Sequence, residues 1–170
     1  MMEILEFPPH DAMKKSDRIE AFVENLITAP EMTPGSALDR RYRAYFQCFN
    51  EQLYYEAHDV LEHLWLQDRA KGSADTLFFK GLIQVAGAFV HLKKQFLRPS
   101  HPTDGKRLRP ASRLFRLAIG NLASYGPRHL CLDVEVLTRF CEDQARAIAG
   151  ANYAVNPWSP GAAPVLKLDC

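Results

Sequence analysis

The stretch Leu77–Leu92, LFFKGLIQVAGAFVHL, is apolar nearly all round a helical wheel. A surface helix keeps one apolar face, whereas a helix apolar on every side belongs at the centre of a packed structure. The rest of the chain must therefore cover this helix from several directions. Lys80, Gln84 and His91 interrupt the stretch, and no apolar run in the chain reaches the ~18 residues that a membrane-spanning helix needs.

The remainder of the 170 residues can supply that cover. A chain this long buries roughly 70% of its unfolded surface and needs no disulfide to hold a core. Apolar residues make up 47% and charged residues 24%, which excludes a disordered chain, a fibre and a disulfide scaffold. The opening MMEILEFPPHD lacks the charged and long apolar regions of a signal peptide, so a cytoplasmic protein is expected. Four cysteines stand at 48, 131, 141 and 170, with no CxxC spacing, so a structural zinc site is not expected. Free thiols are the expectation, with Cys48 and Cys141 as small core residues inside apolar stretches.

Helical periodicity recurs from residue 16 to residue 149, and strand signals are nearly absent. A first helix is predicted over Asp17–Thr28, with capping-box spacing between Asp17 and Glu20. A second starts after Ser36, with Asp39 three residues on, and carries Tyr42, Tyr45, Phe46 and Phe49. The third runs from Leu53 to Gln67, and Arg69–Ala74 reads as a loop. The fourth spans Asp75–Phe96. Pro110 suits the first turn of a fifth helix that continues to Ala123. Asp133 caps a sixth that ends at Ala149, before Gly150. The predicted fold is all-α, a single-domain antiparallel helical bundle of five or six helices. Residues 1–35 form an N-terminal helix and linker, and 36–150 the helical core. Residues 151–170 form an extended tail, lying on the surface or loose.

Two helices carry polar residues where solubility alone would not place them. On the third, Leu53, Ala57, Leu61 and Leu64 centre the apolar stripe. His58 and Glu62, four apart, flank it, bordered by Tyr54 and Trp65. Asp59 and His63 fall on the solvent side. On the fourth, Lys80, Gln84 and His91 share one narrow stripe with Gly87, and the small residues there let a backbone or ligand approach. Packing the two together would bring His58, Glu62, Gln84 and His91 to one place. The plainer reading is a satisfied polar network that fixes helix register. A small-molecule or catalytic pocket and a metal site are the alternatives. No HExxH or paired Glu-x-x-His motif is present, and no metal ligand set or cofactor is assigned. His10, His101 and His129 read as solvated side chains. The segment Lys93–Arg116 holds eight basic residues against one acid, Asp104, and reads as a solvated basic face.

Phe49-Asn50 followed by Tyr54–Trp65, YYEAHDVLEHLW, resembles the signature of a bacterial and archaeal family catalogued as domain of unknown function 309. So does Phe79–Ala86, FKGLIQVA, with His91 beyond. The resemblance covers Tyr42 to Ala149 and implies a bundle of antiparallel helices without an established activity. It places the family's polar pattern on Asn50, Glu56, His58, Glu62, Trp65, Gln84 and His91. Only Glu56 disagrees with the wheels, which put it on the opposite flank. A glycine usual near Gln52 is absent, the 95–110 link is longer than the usual Arg-Gly-Asn connection, and Pro110-Ala111 replaces a common Gly-Ala.

The leading functional hypothesis is a small polar pocket between the third and fourth helices. His58 acts as base or ligand, Glu62 orients it, and Asn50, Tyr54, Trp65, Gln84 and His91 bind. Hydrolysis or proton transfer on a small polar molecule is the reaction class. The rival is a non-catalytic scaffold, in which the aromatic flank of Tyr54, Tyr55 and Trp65 takes a partner helix or a second copy. A third reading gives the 93–116 segment weak nucleic-acid or anion binding, and no membrane partner is expected.

Overall fold

The computed structural model describes residues 14–27 and 38–170. Six helices follow one another along these residues: α1 Lys15–Ile27, α2 Arg40–Asn50, α3 Tyr54–Lys71, α4 Thr76–Leu97, α5 Leu108–Leu122 and α6 Val134–Gly150. A two-residue hairpin, β1 Arg128–His129 and β2 Leu132–Asp133, is the one sheet among the described residues. The architecture is the all-α bundle that the periodicity predicts.

Local chemistry sets the helix ends. The Asp39 carboxylate accepts the Arg41 amide at 2.7 Å, so α2 starts there rather than after Ser36, which lies outside the described residues. α3 continues through Arg69–Lys71, where a loop is expected, because helix-tolerant residues persist until Gly72. Gly72 takes φ +67°, and the Ser73 amide then closes on the Asp68 carbonyl. Asp133 caps α6 as expected, accepting the Val136 amide at 2.9 Å.

α4 is the axis of the packing. α3 lies along one side and α5 along the other, while α2 packs on α3 and α6 on α5. Phe89 of α4 meets Phe49 of α2 edge-on at 5.1 Å and Phe115 of α5 at 5.5 Å. The buried Tyr45 hydroxyl of α2 donates to the Leu82 carbonyl of α4 at 2.7 Å. At Gly81 a Cβ atom would lie 2.7 Å from Leu122 Cγ, so α5 approaches α4 at a distance only glycine permits. Arg41–Glu20 and Arg40–Glu24 ion pairs hold α1 against α2. No helix of the described residues is long and apolar enough to cross a membrane.

The tail is anchored rather than loose. Trp158 is only 3% exposed, and its indole N–H donates to the Tyr54 hydroxyl at 3.0 Å. Asn156 donates to the Leu92 carbonyl at 2.8 Å. The Asn50 side-chain amide both donates to and accepts from the Leu166 backbone, each at 2.8 Å. Leu168 bridges Leu132, and a Cys131–Cys170 disulfide ties down the chain end. The free-thiol expectation is therefore corrected for Cys131 and Cys170, and it holds for the buried Cys48 and Cys141. A pair separated by 39 residues leaves no local spacing signal, because it forms only after the hairpin and tail meet.

Trp158→Ala is expected to lower unfolding free energy by about 3–5 kcal/mol in denaturant titration, from lost burial and the cavity left behind. Val165→Ala, at a position 60% exposed in the same tail, should stay within about 0.5 kcal/mol. Thiol titration of the denatured, unreduced chain should find two free thiols, Cys48 and Cys141, and four after reduction.

Candidate functional site

The polar stripe of α4 is the line along which this helix is least covered. Lys80 is exposed and Gln84, Gly87 and His91 are half-buried, while between Phe78 and Leu92 the other residues are buried apart from half-buried Val90. Positions separated by three and four residues stack on one side of a helix. Gly87 shows what flanks the stripe. A methyl group there would sit 3.9 Å from His58 Cδ2 of α3 and 3.2 Å from Leu114 Cδ1 of α5. The stripe is thus the floor of a groove with α3 and α5 as its walls.

On the α3 wall, His58, Asp59 and Glu62 converge, with one ligand atom from each lying within 4.8 Å of the others. His58 Nδ1 is 3.2 Å from Asp59 Oδ1, and the ring lies parallel to exposed Tyr55 at 6.5 Å. The solvent placement of Asp59 is corrected, since it is 9% exposed. α3 is packed by α1, α2 and α4, so its covered arc is wider than the single stripe of a surface helix. His63 is half-buried rather than solvent-facing and lies 3.4 Å from Gln67 Nε2.

Gln84 and His91 stand on the floor, each with its own partner. Gln84 Oε1 accepts from Asn121 of α5 at 2.7 Å. His91 Nδ1 is 3.1 Å from Arg107 Nη1. A guanidinium only donates, so Nδ1 accepts and the imidazole proton sits on Nε2. Burial, helped by the Arg107 and Lys94 charges, pushes the His91 pKa below its ordinary value. Arg107 is itself fixed, because its Nε donates to the buried Asp104 carboxylate at 2.6 Å, where Arg98 also donates at 3.0 Å. The Arg107 hydrogen bond in turn holds the Asp104 carboxyl below the usual carboxylate range.

Trp65 lies further along the α3 wall. Its ring is 5.4 Å from the Arg69 guanidinium carbon and 6.0 Å from the Lys80 ammonium, and its buried indole nitrogen has no hydrogen-bond partner among the described residues. Asn50 and Tyr54 are outside this arrangement. The Asn50 amide is taken up by Leu166, and the Tyr54 hydroxyl, on a fully buried side chain, receives the Trp158 indole.

Two other histidines are also partnered. His101 Nδ1 accepts the Thr103 and Asp104 amides at 3.2 and 3.1 Å, and His129 Nε2 lies 2.7 Å from Asp75 Oδ1. Both corrections have one cause, in that each imidazole meets a partner that the fold or a tight turn supplies. His10 lies outside the described residues. Sequence reasoning missed Asp59, Arg107 and Asn121. Asn121, a lone amide on an otherwise apolar flank of α5, was the one with a readable signal.

Residues 42–100 match the model of a family described as Domain of unknown function (DUF309). The match runs from α2 to just past the end of α4, holding the α3 cluster and the α4 stripe but not α5 or α6. No curated protein and no solved structure matches the chain.

The state of His91 has a measurable consequence. The unfolded chain binds a proton there as pH falls below the ordinary imidazole value of 6.5, while the folded chain resists until its lowered value is reached. Unfolding free energy should therefore fall with pH in that window. His91→Gln should flatten the slope between neutral pH and about pH 5, compared by denaturant titration across that range.

Proposed function

We propose that this chain, whose 42–100 stretch belongs to the domain of unknown function 309 family, binds a small polar ligand in the groove above α4. His58 is its working group. The observation that carries this reading is the convergence of the His58, Asp59 and Glu62 ligand atoms on α3, with His58 reaching half-buried Gly87 of α4.

The roles follow from the contacts. Asp59, bonded to Nδ1, fixes the ring and leaves Nε2 as base or ligand. Glu62 adds a second carboxylate, which favours a divalent cation or a positively charged transition state. One imidazole and two carboxylates leave coordination positions open, as a site that activates water requires. Hydrolysis or proton transfer on a small polar molecule is the reaction class this supports. Gln84 and His91 would bind from the floor, Gln84 through its amide N–H₂, since its oxygen serves Asn121.

The low exposure of Asp59 favours a second reading, in which the cluster only holds α3 in place and the domain is a scaffold. The readings separate in one experiment. The first predicts that Zn²⁺ or Mn²⁺ raises the Tm of protein purified without chelator or tag, and that His58→Ala and Glu62→Gln abolish the rise. The second predicts no rise in any sample and a loss of about 1–3 kcal/mol in His58→Ala, as Asp59 loses its partner.

A further inference from the structure

A cleft of about 480 Å³ opens beside His91 and is lined by Arg109, Pro110, Arg113, Leu114 and Leu117 of α5. We propose that it binds a small organic anion, with the acid group held by Arg109, Arg113 and His91 and the apolar body resting on Pro110, Leu114 and Leu117.

The polarity of the lining carries the argument. No acid lines the cleft, and both arginines have only donors to offer. His91 would ordinarily supply one donor and one acceptor. Here Nδ1 is occupied by Arg107, so Nε2–H is the group left to a ligand. Every polar side chain of the lining then presents N–H, and two of them carry full charge. A carboxylate or phosphate satisfies all of them, and a cation satisfies none.

Two of the three donor groups, Arg109 and His91, are also held in place. The Arg109 guanidinium carbon sits 4.0 Å from the centroid of the Tyr153 ring. Arg107, which sets the His91 tautomer, is locked by Asp104. Ordering these side chains before binding lowers the entropy lost when a ligand arrives. The cleft volume falls within the range of small-molecule sites, and half of its lining is aliphatic or proline. No aromatic platform lines it to stack a base, which favours a small anion over a nucleic-acid strand. The cleft shares His91 with the groove above α4 but uses none of the α3 side chains, although Leu114 and His58 both border Gly87.

Phenyl phosphate, inorganic phosphate and a short single-stranded DNA are titrated into the full chain, with calorimetry and the ¹⁵N shifts of His91 as readouts. The expected result is one saturable phenyl phosphate site per chain and a weaker inorganic phosphate site. Free His91 should be protonated at Nε2, and that signal should move on binding. Arg113→Gln and Arg109→Gln should each weaken phenyl phosphate about tenfold or more. Both residues are exposed, so melting curves should show both variants folded. Leu117→Ser should weaken phenyl phosphate but not inorganic phosphate. The proposal is overturned by the absence of saturation, or by unchanged binding in the Arg109→Gln/Arg113→Gln double variant. Equal affinity for inorganic phosphate would also overturn it, as would displacement of phenyl phosphate by DNA with a steep salt dependence.

Discussion

The burial of α4 on nearly all sides is the constraint from which the other features follow. Ten of its residues are buried, and covering them takes contributions from well beyond its two neighbours in sequence. α3 and α5 flank it, α2 reaches it through Phe49 and the Tyr45 hydroxyl, and the tail closes its far end through Asn156 on the Leu92 carbonyl. Such a helix can stay partly uncovered only along a line its own sequence makes tolerable. Lys80, Gln84, Gly87 and His91 form that line, so the groove is a consequence of how the core is covered.

Most of the bundle was legible because helix starts, stops and apolar faces are local. Asp39, Gly72 and Asp133 act within a few residues of themselves, and each appears in the structure near the position its chemistry predicts. The tail was not legible because its structure is borrowed. Trp158 is held by Tyr54, more than a hundred residues earlier in the chain, and Leu166 by Asn50 at similar range. Three prolines and a glycine suppress periodicity whether a segment is loose or laid into a groove, so composition could not separate these cases.

The site divides along the same line. Pairing His58 with the α4 stripe required only two wheels, and in the structure a methyl group at Gly87 would lie 3.9 Å from His58 Cδ2. The finer wiring depended on elements the wheels did not include. Arg107 reaches His91 from the link, Asn121 reaches Gln84 from α5, and Asp59 is covered by more packing than one stripe implies. The long 95–110 link, read as a departure from the family pattern, is the element that positions Arg107 through Asp104. The departure therefore falls where the chain sets the tautomer of a floor residue. Gln52 takes φ +63° at the other departure, where a glycine is usual, so the backbone keeps a glycine's conformation although the residue has changed.

The two walls of the groove differ in sign. The α3 wall presents Asp59 and Glu62 around an imidazole, and the α5 side presents Arg109 and Arg113 beside His91. Leu114 of α5 and His58 of α3 meet over Gly87. Arg98 and Arg107, on the link, pair with Asp104 of the same link. Arg109 is drawn onto Tyr153 instead of across the groove. The two sides of the α4 stripe thus present opposite chemistries, carboxylate and imidazole ligand atoms on α3 and N–H donors beside α5.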